Sequence, residues 1–151
     1  MNLKQQLEAD LKTAMLAGDK TLVTTLRGLK SAILNVEVAK GLREQGLSDD
    51  EVIEVLTKQS KQRQESADMY VQGGIQEKAD AELVEKAVIE KYLPAQVSEE
   101  ELNTAIDKVI AETGASGMQA MGQVIGTVKQ QFGASADGSI IARLVKEKLA
   151  Q

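Results

Sequence analysis

Apolar residues recur every three or four positions through almost all of the chain, which is the spacing of amphipathic helices. Four such stretches precede residue 94. We expect the first two to form a hairpin, with Gly18 ending the first helix and Asp19 capping the second. Their apolar positions are Leu3, Leu7, Leu11, Ala14 and Met15, followed by Leu22, Leu26, Leu29, Ile33 and Val36.

The third and fourth helices follow a loop at residues 41–47. Ser48 and Glu51 have the spacing of a capping box, which predicts the third helix start. From Lys58 to Asp68 there is no large apolar side chain for three turns, so we expect this stretch to project or to pack loosely. Two glycines at 73 and 74 end the helix. The fourth helix has its predicted apolar stripe at Leu83, Ala87, Val88 and Tyr92.

Pro94 is the only proline, and it marks a predicted boundary at residues 93 to 97. Proline cannot continue the preceding helix, and it disfavours helical backbone at Leu93. A new helix start follows at once, because Ser98 and Glu101 form a second capping box. We therefore predict two subdomains, residues 1–93 with four helices and residues 94–151 with three.

The three C-terminal stretches are also helical in pattern, so the predicted fold class is all-α. Ser116 is the expected start of the middle helix, in which Gly122 and Gly126 have the spacing that favours close approach of a neighbouring backbone. The predicted apolar positions of the three helices are Leu102, Ile106, Val109 and Ile110; Met118, Met121, Val124, Ile125 and Val128; and Ile140, Ile141, Leu144, Val145 and Leu149.

The composition excludes several kinds of active site. The chain has no His, Cys or Trp, which rules out Ser-His-Asp and Cys-His catalysis, zinc fingers and iron-sulfur ligation. The composition still allows a magnesium ion held by carboxylates. However, the acidic runs at 49–51 and 99–101 lie in first helical turns. There they offset the helix dipole, and adjacent residues splay outward rather than converge on one ion. We therefore expect neither a cofactor nor a metal.

The net charge is −5, and both subdomains are mildly acidic, so nucleic-acid binding would need a local basic patch. Two segments offer one, although a solvated helix face is the default explanation of each. The candidates for contacts to RNA phosphates are Lys20, Arg27 and Lys30 in the second helix and Lys58, Lys61 and Arg63 in the third. No apolar run has the length of a signal peptide or a membrane span, which predicts a cytosolic protein with no membrane partner.

A run of small residues, GASADG at 133–138, leads into the last helix and resembles an anion-binding loop in composition. However, a phosphate loop would need a longer glycine motif after a strand, and none is present. Asp137 is better placed to cap the helix. Asp-Gly at 137 and 138 is also a common hairpin turn, but no alternating apolar and polar residues, as in two strands, flank it. We interpret the run as a tight turn and a helix start.

Taken together, several motifs resemble the GatB/YqeY family. They are YLPAQVSEEEL, IAETGAS, MGQVIG and SADG followed by IIARLVKEKL, with AMLAGDKTLVTTLRGLKSAI and VLTKQSKQRQESADMY upstream. The resemblance implies an all-helical protein whose C-terminal part is similar to the tail domain of the B subunit of tRNA-dependent amidotransferase. It departs from the family pattern at Ile75, Gln123 and Ser135, where basic residues are usual.

The resemblance implies tRNA, or a complex that handles aminoacyl-tRNA, as the partner. It also brings the family label of a carbon-nitrogen ligase with glutamine as amido-nitrogen donor, but the chain shows no catalytic apparatus for that reaction, so we expect no activity from the chain alone. Three hypotheses follow: a tRNA-binding accessory module, an amidotransferase component with its own activity, and a protein interaction module that docks through the C-terminal helices. The sequence does not determine the oligomeric state.

Overall fold

The computed structural model describes residues 1–150, apart from the side chain of Ala134. Every regular element in this range is helical, which confirms the all-α prediction. The α-helices are α1 (Leu3–Ala17), α2 (Lys20–Ala39), α3 (Asp49–Gln72), α4 (Gln76–Glu90), α5 (Glu99–Thr113), α6 (Met121–Phe132) and α7 (Gly138–Leu149). Single 3-10 turns at Met118–Ala120 and Gly133–Ser135 precede α6 and α7.

The helix ends follow from local hydrogen bonding. At the start of α2 the Asp19 carboxylate accepts from the Leu22 amide, and at the start of α3 Ser48 and Glu51 form a reciprocal capping box. The Ser98 hydroxyl accepts from the Glu101 amide at the start of α5. Gly18 ends α1 with φ of 71°, a left-handed conformation that side chains disfavour.

The chain divides into two compact units, Met1–Leu93 and Pro94–Gln151, the last residue of which lies outside the described range. Each unit has an apolar core of its own. In the first unit the core is formed by α1, α2, the start of α3 and the end of α4, with Leu7, Leu26, Leu29, Leu56 and Ile89 fully buried. In the second unit it includes Leu102, Ile106, Val124, Val128, Ile141 and Val145.

The polar stretch of α3 does not project or pack loosely, so that expectation is wrong. This stretch packs against α4 through small side chains: Ser60, Ala67 and Ala79 are all buried. Small residues allow two helices to approach closely without a large apolar side chain between them. At the edge of this contact the Lys86 ammonium donates to Gln64 Oε1 at 2.8 Å.

The predicted apolar stripe of α4 is divided, because its second half, Val88 and Tyr92, packs against the core of the first unit. Ala79 and Ile89 are the buried residues of α4, whereas Leu83 and Ala87, expected in the core, are exposed. The reason is that α4 presents its small residues to α3.

In the second unit, Ser116 does not begin α6, because a turn led by Gly117 intervenes before the helix starts at Met121.

Candidate functional site

A groove of about 530 Å³ lies between α1 and α2, and it brings together charged side chains of both helices. Three cations and two carboxylates line it together with four uncharged residues, so the groove is more highly charged than a typical small-molecule pocket. The lining residues are Lys4, Glu8 and Leu11 from α1 and Arg27, Lys30, Ser31, Ile33, Leu34 and Glu37 from α2. Two of the six predicted phosphate contacts, Arg27 and Lys30, are therefore in this groove.

The cations of the groove differ in how far they are neutralised. Lys4 Nζ lies 2.9 Å from Glu37 Oε1, and Lys30 Nζ lies 3.2 Å from Glu8 Oε1. Arg27 is exposed and has no ion pair with any residue that the structure describes. It is therefore the cation of the groove whose charge is most available to a ligand.

Glu37 is buried, with 1% of its surface exposed, and sequence reasoning did not identify it. Its carboxylate accepts from Lys4 Nζ at 2.9 Å and from the backbone amide of Leu47 at 3.0 Å. These bonds fix Lys4 and tie the loop at residues 41–47 to α2. The signal was present in the sequence, because Glu37 follows Ile33 by four residues and so lies on the apolar side of α2.

The other predicted phosphate contacts divide into exposed and structural residues. Lys20, Lys58 and Lys61 are exposed, at the start of α2 and on the outer side of α3. Arg63 differs from the other three, because its side chain is only 18% exposed and its Nε lies 3.4 Å from Glu85 Oε2 of α4. The Arg63 guanidinium also donates to Gln59, at 2.5 Å. Arg63 thus joins α3 to α4 and is not available for a phosphate.

The acidic runs lie in first helical turns, where Asp49 and Glu51 bind backbone amides and Glu99 pairs with Arg143. Asp49 accepts from the backbone amide of Leu3 at 3.0 Å, and Glu51 lies 3.3 Å from Lys40. The hydrogen bond from the Ser48 amide, with Lys40 nearby, lowers the pKa of Glu51 below its ordinary value. Across residues 1–150 no group of three carboxylates is placed to hold a metal ion.

The glycine-rich end of the chain is a helix start. The Asp137 carboxylate accepts from the Ser139 amide at 2.8 Å and so caps α7, whose first residue is Gly138. Before it, the Ser135 carbonyl accepts from the Val97 amide, and Lys129 donates to the Ala136 carbonyl at 2.6 Å. Lys129 and the Val97 amide therefore hold the turn before α7 in place.

Gly122 and Gly126 differ from the expectation of close backbone approach. Both are exposed on α6, and a Cβ built at either position meets no described atom within 4 Å. The reason is that α6 packs on α5 and α7 through Val124 and Val128, which lie on the other side of the helix. The small residues of α6 are thus not explained by packing within the second unit.

The class that this fold defines is an all-helical protein of two compact units. Within that class the chain belongs to the YqeY-like protein family, which it matches over residues 4–149. Across the described residues, no helix is both long and apolar enough to cross a bilayer.

Curated relatives carry the name "Altered inheritance of mitochondria protein 41, mitochondrial". The protein of Eremothecium gossypii is 34% identical over 108 residues, which is 70% of this chain and 58% of that protein. The protein of Clavispora lusitaniae is 34% identical over 110 residues, 73% of this chain and 59% of that protein. The chain therefore spans less than two thirds of the length of these relatives.

Proposed function

We propose that the chain is a helical accessory module that binds tRNA, contacting its phosphates with exposed cations of α2 and α3. The proposed contacts are Arg27, with Lys30 beside it, together with Lys20, Lys58 and Lys61. Arg63 is left out of this set because its guanidinium already binds Glu85. The proposed role is to hold an aminoacyl-tRNA or to assist a complex that handles one, as the family resemblance implies.

The observation that carries this proposal is the state of Arg27. A planar guanidinium that is exposed, and that no described carboxylate neutralises, suits a phosphate group, which it can bind through two parallel hydrogen bonds. Lys30 lies in the same groove, and its ion pair with Glu8 is weakened by water because both side chains are partly exposed to solvent. An exposed ion pair of this kind stabilises the fold by only about 0 to 1 kcal/mol, so a phosphate can compete for Lys30.

The proposal also predicts that binding is weak and strongly dependent on salt. Residues 19–43 carry five basic and two acidic side chains, whereas the whole chain has a net charge of −5. A local positive patch on an acidic protein attracts phosphate only at short range, within about 10 Å at 0.1 M salt. Few contacts and a repulsive surrounding surface favour an accessory role over tight independent binding.

The test compares two charge reversals in a binding assay with fluorescent tRNA at low salt. Arg27→Glu should weaken binding by about tenfold or more and lower the slope of log affinity against log salt by about one. The matched control is Lys108→Glu, which makes the same kind of change at an exposed lysine of α5, a helix that contributes none of the proposed contacts. Equal effects of the two variants would mean that only net charge matters, and would contradict the assignment of Arg27.

A second candidate function is a protein interaction module that docks through the C-terminal helices. It is favoured by Gly122 and Gly126, which leave room on α6 for another backbone to approach closely. Capture of one defined protein that survives nuclease treatment, and that is lost when both glycines become leucine, would favour this function over RNA binding. Loss of the captured partner on nuclease treatment would favour tRNA.

The cellular role, the location and the enzymatic activity of the chain belong to the same proposal. We place the protein in translation, in the cytosol, and we expect no release of ammonia from glutamine by the purified chain. A glutaminase assay and fractionation of cells that express a tagged chain test these two points. Ammonia release above that of a buffer blank would require an active site that the sequence does not suggest.

A further inference from the structure

The outer face of α4 carries apolar side chains that the fold leaves uncovered. We define this face by Asp80, Leu83, Val84, Ala87 and Lys91. Leu83 is 40% exposed and Val84 is 52% exposed, and the other three residues are exposed as well. Of the two buried residues of α4, Ile89 lies on the opposite side of the helix from Val84 and Ala87, and Ala79 lies beside Leu83, which follows it by four residues.

The spacing along this face is that of a helix-helix interface. Asp80, Val84, Ala87 and Lys91 are separated by four, three and four residues, which places them in one stripe along the helix. Two apolar residues thus occupy the centre of the stripe, and a charge of opposite sign stands at each end. Such an arrangement is self-complementary when two copies of the stripe run in opposite directions.

The geometry points to a second copy of this chain as the occupant: we propose that the outer face of α4 pairs with the same face of a second molecule, antiparallel, about a two-fold axis between positions 85 and 86. In that register Val84 lies opposite Ala87 of the second copy, so a larger side chain meets a smaller one. Asp80 lies opposite Lys91 of the second copy, and the symmetry provides this charge pair twice.

The charges at the ends of the stripe are available for this contact. Lys91 has no ion pair with any described residue. One oxygen of Asp80 accepts from Gln76 Nε2 at 2.8 Å, which holds the carboxylate on the surface and leaves its other oxygen for a cation. Leu83, at the edge of the stripe, adds apolar area beside the Val84 contact.

One helix face is smaller than the interface of a permanent dimer, so the association is weak and reversible. This inference uses a different surface from the proposed RNA contacts, and either can fail without the other. It also accounts for Leu83, Val84 and Ala87, apolar residues of α4 that the first unit leaves exposed.

The experiment is sedimentation velocity of the full chain at concentrations up to about 1 mM, the range in which weak association becomes visible. We expect a reversible shift from monomer to dimer. Val84→Glu should abolish it, because two carboxylates would be buried against apolar groups. Asp80→Lys should weaken it by about tenfold, because two attractions become two repulsions.

The decisive variant is the double exchange Asp80→Lys with Lys91→Asp, which restores opposite charges across the axis and should return the dimer toward its original affinity. The matched control is Glu54→Lys, the same change in charge at an exposed acid of α3. A monomer at every concentration, or a double variant no better than Asp80→Lys, would overturn the proposal. So would a marked fall in the Tm of the dilute monomer on Val84→Glu, since that face would then be covered within the chain.

Discussion

Tyr92 donates its phenolic hydrogen to Asp10, with 2.5 Å between the two oxygens, and so joins the end of α4 to α1. The two residues are 82 positions apart in the sequence, and the bond closes the first unit just before Pro94. Tyr92 is partly buried beside the core of this unit. The contact therefore gives the first unit a polar link between α1 and the residues that follow α4.

Removing this hydroxyl should destabilise the first unit. We expect Tyr92→Phe to lower the free energy of unfolding by about 1 to 2 kcal/mol, because a hydrogen bond to a charged acceptor is lost while the ring is kept. Urea unfolding followed by circular dichroism measures the change. The control is Tyr70→Phe, which removes the chain's other phenolic hydroxyl, one that has no hydrogen bond among the described residues. Equal effects would show that the Asp10 contact contributes nothing.

The same bond predicts a dependence on alkaline pH. Partial burial and the Asp10 carboxylate raise the pKa of Tyr92 far above its ordinary value of 10.0. A raised pKa in the folded state means that the stabilisation is complete below about pH 10 and is lost as the pH rises further. The stability difference between the natural chain and Tyr92→Phe should therefore be constant from pH 7 to 9 and shrink toward pH 11. A difference that grew with pH would contradict this assignment.

Glu37 should be among the polar side chains most important for stability. Replacing it with alanine leaves the Leu47 amide and Lys4 without their acceptor, and we expect a loss of about 2 to 4 kcal/mol. Glu37→Gln should cost less, because the amide oxygen can still accept from Leu47. Glu44→Ala, at an exposed acid of the same loop, is the control and should have little effect. Similar losses for Glu37→Ala and Glu44→Ala would contradict the role of the buried carboxylate.

Gly126 should tolerate a side chain and gain stability from it. A Cβ there meets no described atom within 4 Å, and alanine favours a helix interior by about 1 kcal/mol over glycine. Gly126→Ala should therefore raise the free energy of unfolding by about 0.5 to 1 kcal/mol. Gly114→Ala is the contrasting variant and should destabilise, because Gly114 has φ of 66°. Destabilisation by Gly126→Ala would indicate a close neighbour of α6.

The helices and their caps could be predicted because each depends on residues close in sequence. Asp19 and Ser48 stand where a helix begins, and their side chains accept from amides three residues later. The period of apolar residues likewise placed α1, α2 and α5, whose stripes face a core of large side chains, except for Met15 of α1, which is exposed. Local rules suffice for such elements.

The packing of α3 against α4 could not be predicted in this way. It depends on small residues such as Ala67 and Ala79, which carry little weight in an apolar pattern, and it turns Leu83 outward. The pairing of Arg63 could not be predicted for a related reason, because its partner Glu85 lies on another helix. Long-range polar contacts have no fixed spacing in the sequence, so Tyr92 with Asp10 and Glu37 with Leu47 also needed the structure.

The measurement that tests the proposed function most directly is a titration of fluorescent tRNA with the natural chain at salt concentrations from about 50 to 200 mM. The account predicts saturable binding that weakens as salt rises, with a slope of log affinity against log salt that corresponds to a few phosphate contacts. No binding at 50 mM salt, or binding that does not change with salt, would contradict it.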